Sequence, residues 1–310
     1  ISRGIQYLRL SYEKEEQNSL RKLESGLLYV YALSYFNDDF NSSLGVLNKI
    51  ESEYDRSTIT VLMQYLIRLK HSELSDLDSF YYEWKQAADE FPIPQMLYLK
   101  GLIALYSMDD ESNTYFLSFL DKFHGCNLVK STHHKLYWYY LMHKEKHNAK
   151  QHKELAITEG CSLSDSDKQA LSECSKDSDP DIFLLKACLL FDGVNFNKAI
   201  EILNQCDTVS YDAMEMLEYC YRKARITHAL DKLDFAEDLY QRVIEKGAGT
   251  KRYFAPFSAL QLGKISEKGG KYKKAEKYYE LCLSMNKGEY ENSIEQEAKA
   301  GLNRLKYKEK

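Results

Sequence analysis

Three stretches in the C-terminal half of the chain rhyme: LLKACLLFDGVNFNKAIEIL (184–203), EYCYRKARITHALDKLDFAEDLY (218–240) and SALQLGKISEKGGKYKKAEKYY (258–279). Each opens with a helix-like run that carries a small residue at one place, Ala187, Ala224 or Gly263. Twelve residues on stands an alanine (Ala199, Ala236, Ala275), and four residues later a bulky side chain (Leu203, Tyr240, Tyr279). The alanines are 37 and then 39 residues apart, a period that specifies antiparallel helix pairs stacked on one another. Small residues let the two helices of a pair approach, and the bulky one fills the gap toward the next pair. Such a repeat constrains architecture strongly and chemistry hardly at all.

Composition agrees with helices. Glycine and proline are scarce (14 and 4) while tyrosine is abundant (25), which suits an all-α fold packed through aromatic rings rather than a β-fold with many turns. The 310 residues would suggest about two domains, but a repeat array grows by adding units and escapes that expectation. Forty-two Lys and Arg are interspersed with 47 Asp and Glu for a net charge of −5. A one-sided basic field, which nucleic-acid binding requires, is missing. No apolar run reaches the ~18 residues of a membrane span. The chain opens at Ile1 rather than Met, which leaves room for a leader or an upstream domain.

Traced backward, the repeat fades without disappearing. FNSSLGVL (40–47) echoes FNKAIEIL (196–203), with Ser43 in the alanine's place. The pattern predicts helices over 20–36, 40–54, 57–70, 75–90, 93–106, 112–123, 130–146, 148–159 and 164–174, and a capping helix over 289–306. The segment KDSDP (176–180) favours a turn and marks the expected boundary between degenerate pairs (1–175) and regular repeats (176–310). The expected architecture is a right-handed α-α superhelix of about seven pairs.

The last unit matches the tetratricopeptide pattern through Leu262-Gly263, Ala275, Tyr279 and Cys282, departing from it at Ser266 and Lys287. The run over 253–306 resembles the C-terminal end of the tetratricopeptide-39 and inclusion-body-clearance family. It is more similar still to tetratricopeptide proteins of Bacteroidetes, in which an aromatic-Phe-Ala start and an Ala-Lys-Ala-Gly-Leu ending recur. Residues 166–171, 184–193 and 26–40 fit the same group. The resemblance implies a fold and not an activity, since the family pattern has no catalytic residue to transfer. It also implies a cell-envelope or periplasmic location, since members of the bacterial group begin with export signals; the cytoplasm is the alternative.

Other constellations weigh little. His143 and His147 share a helix face, but HKEKH is not HExxH, and Glu145 points away from that face. A solvated turn is the expectation, with no metal, and no cofactor is implied. No nucleophile elbow or dinucleotide loop occurs, and Gly269-Gly270-Lys271 reads as a helix-ending turn rather than a phosphate loop. The chain is thus read as non-enzymatic. Seven cysteines include no CxxC pair; Cys188, Cys206, Cys220 and Cys282 fall at small buried positions, and Cys161 with Cys174 is one candidate disulfide. Aromatic clusters at Tyr29, Tyr31, Tyr35 and Phe36, at Phe80, Tyr81, Tyr82 and Trp84, and at Tyr137, Trp138, Tyr139 and Tyr140 cannot each face one core, because successive helical residues stand ~100° apart. They serve either inter-repeat packing or a groove for a peptide or glycan.

The leading expectation is a scaffold whose concave groove binds a protein or peptide through Tyr221, Arg225, Phe257, Leu260 and Lys264. A solute- or glycan-binding solenoid of the envelope is the alternative. A carboxylate clamp for chaperone tails is disfavoured, because only Arg225 and Lys264 on the expected inner faces can hold an anion and no asparagine supports them.

Overall fold

A computed structural model of the chain describes residues 2–17, 19–37, 39–54, 57–70, 94–285 and 291–308. Among them are sixteen α-helices and no strand. The helices are α1 (Ser2–Lys14), α2 (Leu20–Phe36), α3 (Phe40–Tyr54), α4 (Thr58–Lys70), α5 (Pro94–Tyr106), α6 (Ser112–Lys122), α7 (Val129–Met142) and α8 (Lys146–Thr158). They continue with α9 (Asp165–Cys174), α10 (Ile182–Asp192), α11 (Phe196–Leu203), α12 (Ala213–Ala229), α13 (Leu233–Gly247), α14 (Phe254–Lys268), α15 (Tyr272–Ser284) and α16 (Glu291–Lys308). Neighbouring helices pack as pairs, so the protein is an all-α, tetratricopeptide-like solenoid. The helix expected over 75–90 and the aromatic cluster from Phe80 to Trp84 lie outside the described residues.

The first helices of five pairs end in one and the same turn. Two residues past α5, α7, α10, α12 and α14 stands a residue in the left-handed region: Met108 (φ 59°), Lys144 (61°), Val194 (60°), Asp231 (57°) and Gly270 (71°). Each time the next N–H donates to the carbonyl five positions back. These bonds run from Asp109 to Ala104 (2.8 Å), Glu145 to Tyr140 (2.9 Å), Asn195 to Leu190 (2.8 Å), Lys232 to Thr227 (2.9 Å) and Lys271 to Ser266 (2.8 Å). That bond closes a Schellman motif and satisfies an orphan carbonyl at the helix end. The turn at Lys144 also explains why the helix expected over 130–146 stops at Met142.

Contacts group the chain differently from the regularity of its repeats. One compact unit comprises Ile1–Pro92, Gly263–Glu280 and Glu295–Lys310; the other comprises Ile93–Leu262 and Leu281–Ile294. Within the first, Tyr12, Val30, Leu47, Ile50 and Ile67 form a core between α1 and α4. Ser43 is fully buried there, in the small position that its echo of the repeat assigns it. The Tyr279 ring is gripped so closely that a Cβ at Gly263 would lie 2.6 Å from it and one at Gly301 2.5 Å. Its hydroxyl donates to Glu267 (2.8 Å), which Arg304 holds with two further bonds of 3.0 and 2.9 Å. Arg304 also reaches the Phe36 carbonyl at the end of α2 (3.5 Å).

In the second unit α7 packs against α5, α6, α8, α9 and α10. Every residue from Val129 to Tyr140 is buried. Four successive aromatics do therefore share one interior, because neighbours surround the helix rather than cover one stripe. The segment at 176–180 is a turn, yet no loose linker: Asp179 accepts from Tyr137 (2.7 Å) and Lys153 (3.1 Å).

The disulfide differs from the Cys161–Cys174 candidate. Cys161 pairs with Cys126, clamping the chain before α7 to the chain after α8, and Cys174 is a buried free thiol. Cys282 is buried as well, whereas Cys188, Cys206 and Cys220 keep some exposure.

Two outcomes test these devices. Lys144 is exposed and pays the left-handed penalty without packing in return, so Lys144→Gly raises stability by roughly 0.5–1 kcal/mol in urea unfolding. Replacing Cys126 and Cys161 together by serine opens a cross-link of sequence separation 35. The expected loss is roughly 3–4 kcal/mol, and reducing agent lowers the melting temperature of the wild type alone.

Candidate functional site

Two polar constellations stand out in the second unit, one sealed and one reaching solvent. The sealed one belongs to α7. Asp167 of α9, itself fully buried, accepts from the N–H groups of Leu128 (2.9 Å) and Ser131 (3.1 Å) and from the Ser164 hydroxyl (2.6 Å). It thus does for the start of α7 what an N-cap does, from a distant part of the chain. Lys130 performs the opposite task, donating to the carbonyls of Ile157 (2.6 Å) and Ala156 (3.4 Å) at the end of α8. Ser131 meets Tyr98 at 2.8 Å.

Farther along α7, His134 Nε2 lies 3.1 Å from Glu173, which also accepts from Gln169 at 2.8 Å. Burial works against the Glu173 carboxylate, but His134, Gln169 and nearby Lys135 outweigh it and hold its pKa well below the usual range. Burial pushes His134 down, so it is neutral at pH 7, and its Nδ1 has no hydrogen-bond partner. The Lys135 ammonium sits 3.7 Å over the Trp138 ring, its pKa lowered by burial against the pull of Glu173.

The second constellation is built on α12, where a capping box between Asp212 and Glu215 fixes the first turn. Glu218, Tyr221, Arg222 and Arg225 follow at helical spacing on one face. Arg222 pairs with Glu218, its Nε at 2.8 Å, and its Nη1 has no partner. The Arg225 guanidinium lies 4.0 Å over the Phe191 ring and within 5.7 and 5.8 Å of Tyr221 and Phe257, with Asp192 3.5 Å away. These charged side chains are hemmed in by protein yet keep access to solvent: Arg222 retains 12%, Glu218 18%, Arg225 21% and Asp192 34% of side-chain exposure. That combination describes a recess.

Burial pushes the Tyr221 hydroxyl up to about 12, with Arg225 and Arg222 pulling the other way. It likewise lifts Cys188 to about 11, so at neutral pH this residue is an uncharged thiol, 3.8 Å from Asp192. Positive and negative charges balance around the recess. Two donors, Arg222 Nη1 and the Tyr221 hydroxyl, are left over.

Of the five residues expected to bind a partner, the structure brings Tyr221, Arg225 and Phe257 together here. Tyr221 is fully buried, stacked on Phe254 at 4.8 Å, and Leu260 is fully buried too. Neither offers surface; Tyr221 instead shapes the wall behind Arg225. Lys264 belongs to the other unit and is paired with Glu297 at 2.6 Å. With Arg225 beside Asp192 and Lys264 on Glu297, both cations considered for a carboxylate clamp already have carboxylate neighbours. Arg222, Glu218, Phe191 and Asp192 escaped the sequence reading, although the 218-221-222-225 stripe was its available signal.

His143 lies in the exposed turn after α7, bonded to the Tyr139 carbonyl (2.8 Å) and Asp110 (3.0 Å), whereas His147 is exposed in the first turn of α8, so the two do not share one helix. Among the described residues no group of three His, Cys, Asp or Glu is placed to hold a metal, and no helix is long and apolar enough to cross a membrane.

Fold and recess together define a helix-pair repeat protein with a semi-enclosed ionic and aromatic patch. Residues 258–289 match the tetratricopeptide-repeat family, the stretch that carries Gly263, Ala275 and Tyr279. Comparison with curated proteins gives no match.

Removing the Asp167 carboxylate strands two buried N–H groups at about 1–3 kcal/mol each. Asp167→Ala therefore loses roughly 2–6 kcal/mol in chemical unfolding, and an unchanged midpoint contradicts the capping role.

Proposed function

We propose that this chain is a non-enzymatic scaffold that holds a segment of a partner protein at the Arg222–Arg225 recess. Tetratricopeptide repeats generally mediate protein interactions, and the matched repeat and the helix-pair fold support the reading. The observation that carries it is the Arg225 guanidinium, stacked on Phe191 and partly exposed beside Asp192. Semi-buried arginine framed by aromatic rings is the composition of an interaction hot spot, and an oxygen acceptor on the partner, backbone carbonyl or carboxylate, accepts from the exposed edge of the Arg225 guanidinium.

The Cys126–Cys161 cross-link supports an oxidising compartment. It agrees with the proposal that the chain is kin to envelope-located tetratricopeptide proteins of Bacteroidetes in the tetratricopeptide-39 and inclusion-body-clearance group. A glycan-binding reading keeps one observation in its favour. Tyr31 is 45% exposed and stacks on Tyr35 at 4.5 Å in the first unit, whereas the Tyr137–Tyr140 cluster is buried.

Affinity capture followed by quantitative mass spectrometry separates the two. Arg222→Gln with Arg225→Gln lowers partner recovery at least about tenfold, the loss of two buried charge-assisted contacts, while Tyr31→Ala leaves recovery unchanged. The reverse pattern, with a melting-temperature rise on adding glycans that Tyr31→Ala abolishes, assigns function to the first unit.

A further inference from the structure

The α7–α8 hairpin holds a contact that partner binding does not use. His133 of α7 and His152 of α8 face each other through Nδ1 atoms 2.9 Å apart, rings stacked with centroids at 5.2 Å. Both are nearly inaccessible to solvent, and Tyr140 stacks on His152 from the other side at 5.3 Å. At that distance one Nδ1 donates and the other accepts. A single added proton preserves the bond as imidazolium to imidazole; a second places two N–H groups against each other and removes it.

The surroundings oppose even the first proton. Lys130 shares the α7–α8 interface, and its charge disfavours a proton on His133. The nearest carboxylate, Glu159 beyond α8, stands 3.8 Å from His133 Nε2 and is mostly solvent-exposed. Other titratable groups on the packed elements are engaged or remote. Tyr98 of α5 is bonded to Ser131, and Asp121 and Lys122 of α6 are exposed. On α8, Lys153 is on Asp179, Lys150 and Glu154 pair in solvent, and Lys146 and His147 are exposed. On α9, Asp167 holds the start of α7, Glu173 is on His134, and Asp165 with Lys168 is solvent-facing. On α10, Asp192 is beside Arg225 and Lys186 is half-buried.

We propose that His133 and His152 form an acid-released latch between α7 and α8, with the Cys126–Cys161 cross-link limiting how far the hairpin opens. Burial first, then Lys130 for His133 and His133 for His152, brings each pKa from 6.5 down to about 4. A folded pKa below the unfolded one makes the closed hairpin fully favoured above pH 6.5 and progressively less so as pH falls toward 4. Opening takes up the protons, frees the α8 carbonyls from Lys130 and bares the aromatic face of α7.

Hydrogen exchange on the intact, oxidised chain tests this. Corrected for intrinsic rates, protection of α7 and α8 falls at least about tenfold more than that of α13 between about pH 7.5 and about pH 5, and the double variant His133→Gln, His152→Gln abolishes the difference. Equal loss in α13, or a difference that survives the double substitution, overturns the latch. Should that variant not fold, the imidazole titration of the wild type by NMR decides. Midpoints near 4 for both rings support the latch, and a midpoint near 6.5 for either refutes it.

Discussion

Burial of α7 on every side from Val129 to Tyr140 is the constraint around which the second unit is organised. A helix enclosed on all sides is usually apolar all round, yet VKSTHHKLYWYY carries two lysines and two histidines into the interior. Each must find a partner or cost several kcal/mol, and the partners come from every direction. Carbonyls of α8 receive Lys130, a histidine of α8 meets His133, Glu173 of α9 approaches His134, and the indole of Trp138 faces Lys135. The third helix of this group, α9, interrupts the alternation of pairs, and its need is visible in what it supplies: Asp167 caps the first turn of α7 and Glu173 approaches His134. A set of mutually satisfied buried groups fixes one arrangement of helices more sharply than apolar packing does.

Helix existence was largely legible in the sequence, because apolar residues at helical spacing and caps such as Ser164 are local signals. The bounds of α2 and α3 agree with expectation residue for residue. The surroundings of α7 were not legible, since a window of sequence shows one stripe and cannot reveal that five helices cover the remainder. That is why the sequence leaves Tyr137 to Tyr140 divided between inter-repeat packing and an open groove, when they are interior. The Cys126–Cys161 bridge was hidden for the same reason: its partners meet only because α7 and α8 are antiparallel and of similar length.

The candidate site was half legible. The repeat register selects Tyr221 and Arg225 as neighbours on one face of α12, and they are. Register alone cannot say which of two positions one turn apart lies between helices and which looks out. Tyr221 is walled in by Phe254 and Tyr253, whereas Arg225 projects past them to Phe191 and Asp192. Length decides it. A tyrosine ends within the helical layer, while an arginine buries its stem there and carries its charge to the edge.

The repeated turn explains why the tetratricopeptide signal covers 258–289 while the helix-pair fold extends far beyond it. Five pairs keep the same left-handed residue and the same five-residue return bond, but only Gly270 is a glycine. Met108, Lys144, Val194 and Asp231 adopt the conformation at a cost of about 1–2 kcal/mol each, which packing of the paired helices outweighs. A family description compares residue types and recognises the pair whose turn, small positions and filling tyrosine are all intact. Backbone geometry outlasts those residues, because burial of two helix faces against each other specifies where the chain must reverse even after the side chain best suited to reversing it has gone.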